Sequence, residues 1–197
     1  MKSLKEFFFE HTQIDDELWQ QFSQNIKTVC YAKGDYISAQ DNIWTEYMYL
    51  DSGLIRSFLI NNKGKEFTRQ FYFNTSESNV GNLFVTDFRS VLSQESSLRA
   101  FEVLEGCELK VFSHHDITAL YHQNHTWERL GRIFTQLAYI QVDEYYCTLL
   151  TCTPKEHYLK LKKEMPDLCE RLSQYHIASF LGISPVTLSR IKKSCDA

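Results

Sequence analysis

Residues 174–193 read QYHIASFLGISPVTLSRIKK, and the spacing of their apolar, small and turn-forming residues decides how the C-terminal part of the chain folds. Ile177, Phe180 and Leu181 recur at the three-to-four interval of an amphipathic helix, and Ala178 leaves room for a second helix to cross close by. Gly182 follows where the chain must reverse, because glycine reaches left-handed backbone angles without a Cβ penalty. Ser184 and Pro185 then restart a helix: serine accepts an orphan N–H at the N-cap, and proline at the first helical position has no N–H to lose. Leu188 and Ile191 pin this second helix inward. Pro185, Val186, Thr187, Ser189 and Arg190 are left outward near its start, with Lys192 and Lys193 within reach of phosphates. Two helices, a glycine turn, a Ser-Pro restart and a basic outward end in one register predict a DNA-reading helix-turn-helix.

The whole chain of 197 residues carries a formal charge of −4, which is the wrong sign for a nucleic-acid binder. Divided at Pro154, the charge separates: residues 154–197 hold eight Lys or Arg against five acids, a balance of +3, and the first 153 residues hold 13 against 20, a balance of −7. A basic terminal module on an acidic body fits DNA contact through one end, since phosphate neutralisation is local and screened beyond about 10 Å at 0.1 M salt. With 43% hydrophobic residues the chain buries one core of domain size and a smaller satellite. The expected division is a body over 1–150 and a reader over 151–197, hinged at Thr151 to Lys155 where Pro154 breaks the helix.

Six cysteines, at 30, 107, 147, 152, 169 and 195, form no C-x-x-C pair and suit a reducing cytoplasm. The opening MKSLKEFFFEHTQ has too short an apolar patch for a signal peptide, and no apolar run approaches the length of a membrane span, so a soluble cytoplasmic protein without a membrane partner is expected.

Residues 3–26 read as short helices, with Leu4, Phe7 and Phe8 at helical spacing and acids at 15–17 opening a segment that carries Leu18, Trp19 and Phe22. From Cys30 onward, aromatic and β-branched runs alternate with turn signals at Lys33-Gly34-Asp35, Asp51-Ser52-Gly53 and Asn61-Asn62-Lys63-Gly64-Lys65. The runs over 47–50, 54–60, 66–73, 98–104 and 108–112 make an antiparallel roll or barrel. Ser113-His114-His115-Asp116 looks like a capping box opening a helix through Leu120. A long helix over 126–150 follows. Its string Ile133, Leu137, Ile140, Glu144 and Cys147 has the heptad spacing of a self-pairing seam, with an ordinary core helix lying on the roll as the other reading. A two-fold dimer would place two reading helices roughly 34 Å apart on successive major grooves.

The order of β-roll, long helix and terminal helix-turn-helix resembles the Crp/Fnr family of bacterial transcription regulators. The resemblance rests on YHIASFLGISPVTLSRIKK, on Gly34 and Gly53, and on the 49–56 segment YLDSGLIR. It implies an α+β fold: an N-terminal antiparallel β-roll of the cyclic-nucleotide-binding type, also described as a double-stranded β-helix, then a long dimerisation helix and the helix-turn-helix. Members that bind cyclic AMP carry a Gly-Glu-Leu stretch followed by Arg-Ser or Arg-Thr, whose guanidinium pairs with the cyclic phosphate. Here the corresponding stretches are Asn79-Val80-Gly81-Asn82-Leu83 and Glu95-Ser96-Ser97-Leu98-Arg99-Ala100, without the ribose-binding carboxylate. Cyclic AMP is therefore not the expected effector, and the expected pocket for an unidentified one is Asn79, Gly81, Asn82, Leu83 and Arg99. The iron–sulfur branch needs an N-terminal cysteine group, and Cys30 is the only cysteine before residue 100.

In the reader, Pro185 and Val186 stand where many relatives place Arg and Glu, so the acid that accepts from cytosine is gone. Arg190 matches the family's base-reading arginine, suited to guanine O6 and N7, and Val186 suits a thymine methyl. The sequence ends at Ala197, too soon after this helix for the winged hairpin of some relatives, so phosphate anchoring is expected from Ser173, Gln174, Tyr175 and His176 with Lys192 and Lys193. The implied partners are double-stranded DNA, a second copy of the chain through the 126–150 helix, RNA polymerase and a small-molecule effector.

Two readings stand beside this one. A ligand- or protein-binding sensor that does not read DNA fits the acidic whole and the substituted reader. A cupin-like metalloenzyme is invited by His114, His115, His122 and His125 with Asp116, but these fall on a helix and the loop after it, where facing strands are needed. With no nucleophile motif, Walker loop or dinucleotide fingerprint, neither catalysis nor a cofactor or metal is expected.

Overall fold

The computed structural model describes residues 1–38 and 42–195. Asp196, counted in the charge balance, and Ala197, the expected end of the reader, lie outside them. Two short helices open the chain. In α1 (Leu4–His11), Ser3 and Glu6 form a capping box: the Ser3 hydroxyl accepts the Glu6 N–H at 3.2 Å and the Glu6 carboxylate accepts the Ser3 N–H at 2.7 Å. In α2 (Asp16–Ser23), the Asp15 side chain caps the Leu18 N–H at 2.8 Å. These helices deliver Phe8 and Phe22 to one aromatic cluster with Trp127, which Phe7 joins through Phe8.

Strands β1 (Lys27–Tyr31), β2 (Tyr36–Ser38), β3 (Glu46–Ile60), β4 (Glu66–Phe73), β5 (Phe84–Val85) and β6 (Ala100–Ser113) form one antiparallel sheet in the order β1-β6-β3-β4, with β2 on β6 and β5 on β3. Two short helices, α3 (Val80–Leu83) and α4 (Phe88–Ser93), fill the β4–β6 connection. The sequence reading is corrected at Asp51-Ser52-Gly53. These residues are the bulged middle of a single long strand, where the register of β3 against β6 shifts between Leu50 and Ile55. Gly53 permits this. Its φ is +107°, and a Cβ there would collide with Cys107 and the Gly106 carbonyl, so a turn signal here serves a bend that keeps both strands paired.

The C-terminal half is helical: α5 (His114–Gln123), α6 (His125–Thr151), α7 (Pro154–Glu164), α8 (Pro166–Arg171), α9 (Gln174–Phe180) and α10 (Pro185–Cys195). Ser113 caps α5 through the Asp116 N–H at 3.0 Å. A capping box of Thr153 with Glu156, and Pro154 at the first position, start α7 directly after α6 ends. Among the described residues, no helix is long and apolar enough to cross a membrane.

Strand alternation builds two cores. Ile55 and Tyr72 point into the roll with Tyr49, Leu50, Phe101 and Leu109, whereas Leu54, Phe71 and Phe73 on the other face meet Tyr158, Leu161, Leu168, Leu172, Ile177 and Leu188 from α7 to α10. The C-terminal helices therefore lie directly on β3 and β4.

Helix α6 is apolar on two faces. Trp127, Leu130, Phe134, Leu137 and Ala138 belong with the roll core. On the solvent side Tyr139, Val142, Tyr146 and Leu149 are 68%, 51%, 58% and 51% exposed and follow a three-four-three spacing. The heptad string expected from sequence straddles these faces: Leu137 turns to the roll and Ile133 is half-buried, while Ile140, Glu144 and Cys147 are exposed.

Candidate nucleic-acid interface

The turn between α9 and α10 is closed by backbone hydrogen bonds. Gly182, at φ +71°, donates to the Ser179 carbonyl at 3.3 Å, and Ile183 donates to the Ala178 carbonyl at 3.0 Å, the six-to-one bond of a Schellman ending. Helix α10 then starts at Pro185, with the Ser184 hydroxyl accepting the Thr187 N–H at 3.1 Å and lying 2.9 Å from the Thr187 hydroxyl. Leu188 is fully buried and Ile191 packs on the same core, so the opposite side of α10 faces solvent. On it Pro185, Val186, Thr187, Arg190 and Lys193 are exposed, and Ser189 is half-buried. Lys192 is placed differently: half-buried, its Nζ lies 5.8 Å over the Tyr158 ring.

The other expected phosphate contacts sit at the start of α9. Ser173 and Gln174 are exposed, the Ser173 hydroxyl serving as N-cap to the His176 N–H at 3.2 Å. Tyr175 and His176 turn toward the roll. The Tyr175 hydroxyl donates to the Glu66 carboxylate at 3.2 Å, and the same carboxylate accepts from Arg56 at 2.7 Å. Arg56, only 3% exposed, also donates to Glu102 at 2.6 Å and to the Thr68 hydroxyl at 3.3 Å. One turn further along α9, buried Ser179 accepts the Thr68 N–H at 2.9 Å and donates to the Glu66 carbonyl at 3.1 Å. His176 Nδ1 is buried without a hydrogen-bond partner, and burial, then the nearby Arg56 charge, hold its pKa below the ordinary histidine value. On α8, the Arg171 guanidinium forks onto Glu105 at 3.0 and 2.7 Å and reaches the Gly53 carbonyl at 3.3 Å.

A cavity of about 250 Å3 lies between β4, α3, α6 and α7. Asn79, Gly81, Asn82 and Arg99 line it; Leu83, 2% exposed, lies in the roll core and does not. The α3 loop is held by side-chain bonds: Asn82 Nδ2 donates to the Phe71 carbonyl at 3.1 Å and Gln70 Nε2 to the Gly81 carbonyl at 2.6 Å. A Cβ at Gly81 would fall on the Gln141 side chain of α6. Arg69, Tyr145, His157 and Phe180 also line the cavity, and sequence reading did not single them out for it. One signal for this layer was present: Phe71-Tyr72-Phe73 is an unbroken apolar run, the mark of a strand covered on both faces.

The histidines weighed as metal ligands are apart in role. His114 Nδ1 lies 3.0 Å from the Tyr47 hydroxyl, and His115 and His125 are exposed beside Asp116 and Glu128. Among the described residues, no group of three or more metal-ligating side chains comes together.

No family model and no curated protein matches the chain. Solved structures do. FixK2 from Bradyrhizobium japonicum superposes with a TM-score of 0.69 at 16% identity, over 86% of this chain and 83% of its own. A regulator assigned to the Crp/Fnr family from Eubacterium rectale gives 0.67 at 15% identity, over 92% and 83%. CLP from Xanthomonas campestris, described as a c-di-GMP responsive global regulator, gives 0.66 at 14% identity, over 92% of both chains.

Proposed function

We propose that this chain, which has the fold of the Crp/Fnr regulators, is a non-catalytic transcription regulator that binds an inverted-repeat DNA site as a homodimer. The observation that carries the reading is the α9–α10 pair. Gly182 and the Ser184-Pro185 restart bury Leu188 while leaving Val186, Thr187, Arg190 and Lys193 in solvent on one side of α10. This is the side that enters a major groove, with Arg190 assigned to guanine and Val186 to a thymine methyl. Lys193, Ser173 and Gln174 are assigned to phosphates, with Lys192 a weaker contact from its place over Tyr158 and the Tyr175 and His176 end of α9 joining once α9 leaves β4.

The second copy docks along Tyr139, Val142, Tyr146 and Leu149 of α6, since an exposed stripe at three-four-three spacing is the seam of a two-helix coil. Residues 1–150 are the sensor and 151–197 the reader, with the cavity beside Asn79, Gly81, Asn82 and Arg99 as the effector site. RNA polymerase is the further partner of this reading.

Selection from a random duplex pool with the purified full chain tests the proposal. Enrichment of a two-fold repeat with half-sites about one helical turn apart is expected. Failure to enrich any sequence, together with weak binding that vanishes with salt, would refute sequence reading.

A further inference from the structure

Strand β4 pairs with β3 in a register that skips Arg69: Thr68 stands opposite Phe58 and Gln70 opposite Ser57. A bulge of this kind re-aims the side chain of the extra residue, and here it sends the guanidinium into the cavity, 4.5 Å over the Tyr145 ring. Among the described residues Arg69 has no carboxylate partner. Arg99 shares the same cavity, and its nearest acid is buried Asp87, whose Oδ1 is 3.7 Å from Arg99 Nε, beyond hydrogen-bond range. Asp87 spends its other oxygen on the Ser97 hydroxyl at 2.8 Å. Two guanidiniums thus face one loosely held carboxylate. Burial and the like charge of Arg99 both push the Arg69 pKa down. The Thr86 hydroxyl, 1% exposed and lining the same cavity, has no hydrogen-bond partner. Phe71, Phe84, Tyr145 and Phe180 give the otherwise mixed lining an apolar side. Glu144 and Glu164, the acids of the lining, and Lys160, its third cation, are exposed.

We propose that the cavity binds a small organic oxyanion whose head bridges Arg69 and Arg99 and accepts from Thr86, and whose apolar body lies against Tyr145 and Phe180. One negative charge balances the excess guanidinium, and a volume of about 250 Å3 fits a body of about one ring, smaller than the roughly 300–1,000 Å3 of sites for larger ligands. The ligand touches the reader directly. Tyr145 packs on Phe180 of α9 at 5.8 Å and on His157 of α7 at 6.2 Å, so an anion that draws Arg69 off the Tyr145 ring disturbs the layer on which α9 rests. This rests on the effector-site assignment above and goes further by naming the ligand's chemistry.

Thermal denaturation of the full chain without DNA tests it, so failure of DNA reading leaves this result untouched. The probes are matched pairs at millimolar concentration: benzoate with benzamide, cyclohexanecarboxylate with its carboxamide, phenyl phosphate with phenol, and inorganic sulfate as bare charge. The organic anions raise Tm and their neutral mates do not. Protection by the carboxylates alone identifies a carboxylate head, and by phenyl phosphate alone a phosphate ester. Arg69→Met abolishes the protection and Arg99→Met weakens it. Without any ligand Arg69→Met raises Tm, by about 2 °C, because a half-buried charge without a carboxylate partner is gone and the methionine side chain keeps the contact with the Tyr145 ring. The proposal is overturned if no organic anion protects, if neutral mates or sulfate protect as well, or if Arg69→Met lowers the ligand-free Tm as loss of a structural arginine would.

Discussion

The Tyr175 hydroxyl donates to the Glu66 carboxylate across 3.2 Å, tying the first turn of α9 to the edge of the roll. Glu66 in turn belongs to buried Arg56, so a DNA phosphate approaching this end of α9 meets an acid already placed there. Glu66→Gln is expected to raise affinity for duplex DNA about threefold to tenfold, the worth of one ordinary hydrogen bond between the two layers, since Tyr175 is exposed and solvent weakens its bond to the carboxylate. Tyr175→Phe gives a smaller rise. Fluorescence anisotropy at fixed salt measures both, and unchanged affinity in both variants would show that α9 binds without leaving β4.

On α10 the exposed residues divide by role. Arg190→Ala costs about 1–3 kcal/mol at one base pair of each half-site and relaxes preference there, read by competition among single-base variants of the selected site. Lys193→Ala weakens all sequences alike and lowers the salt slope by about one. Lys192→Ala changes the slope less, because its ammonium sits over Tyr158. Equal slopes for the two lysine variants would contradict that placement.

For the dimer, the two faces of α6 predict opposite outcomes. Tyr139→Glu with Tyr146→Glu yields folded monomers by light scattering with little change in Tm of the monomer. Leu137→Asp buries a charge against the roll and destabilises the fold by about 3 kcal/mol or more. Dimers that survive the double change would move the interface off this stripe.

His157 and His176 both have pKa values below the ordinary 6.5, the first through burial and then Lys160, the second through burial and then Arg56. The fold thus holds them neutral while the unfolded chain takes up protons near pH 6.5, so their contribution is full above that pH and falls as pH drops below it. Glu6, Glu105 and Glu156 shift downward from 4.5, so theirs is lost only below about that pH. Tm is therefore expected to decline between pH 7 and pH 5, ahead of acid unfolding. The double variant His157→Phe, His176→Gln flattens that limb. A wild-type profile level across it would mean that neither ring is desolvated as described.

How much of this was legible beforehand follows from the range over which each signal acts. The helix-turn-helix geometry was, because Gly182, Ser184, Pro185 and Leu188 act within a turn or two of chain. The expected long helix over 126–150 closely matches α6, its apolar content being dense enough to show. Which face meets what was not, since Leu137 and Ile140 are equally apolar and only the position of the roll separates them. Asp51-Ser52-Gly53 misled because a bulge and a turn ask the same thing of glycine. Of the expected pocket, Asn79, Gly81, Asn82 and Arg99 gather at the cavity, while Leu83 is spent on the core. Arg69 escaped notice because its direction depends on a skipped residue in a strand pairing, which no local pattern records. The docking of α9 on β4 joins residues more than a hundred apart in sequence.

Because Phe71 and Phe73 belong to one core and Tyr72 between them to the other, a single strand is structural to both halves. The two halves are thereby coupled in unfolding: opening either one strips a face of β4 and weakens the other's template. In the absence of DNA, amide hydrogens on the α9-facing side of β4 and those of α9 should exchange together, since uncovering α9 strips that face of the strand. Residues 154–195 expressed alone would leave Tyr158, Leu161, Ile177 and Leu188 without their aromatic floor, so helices α7–α10 are not a detachable cassette.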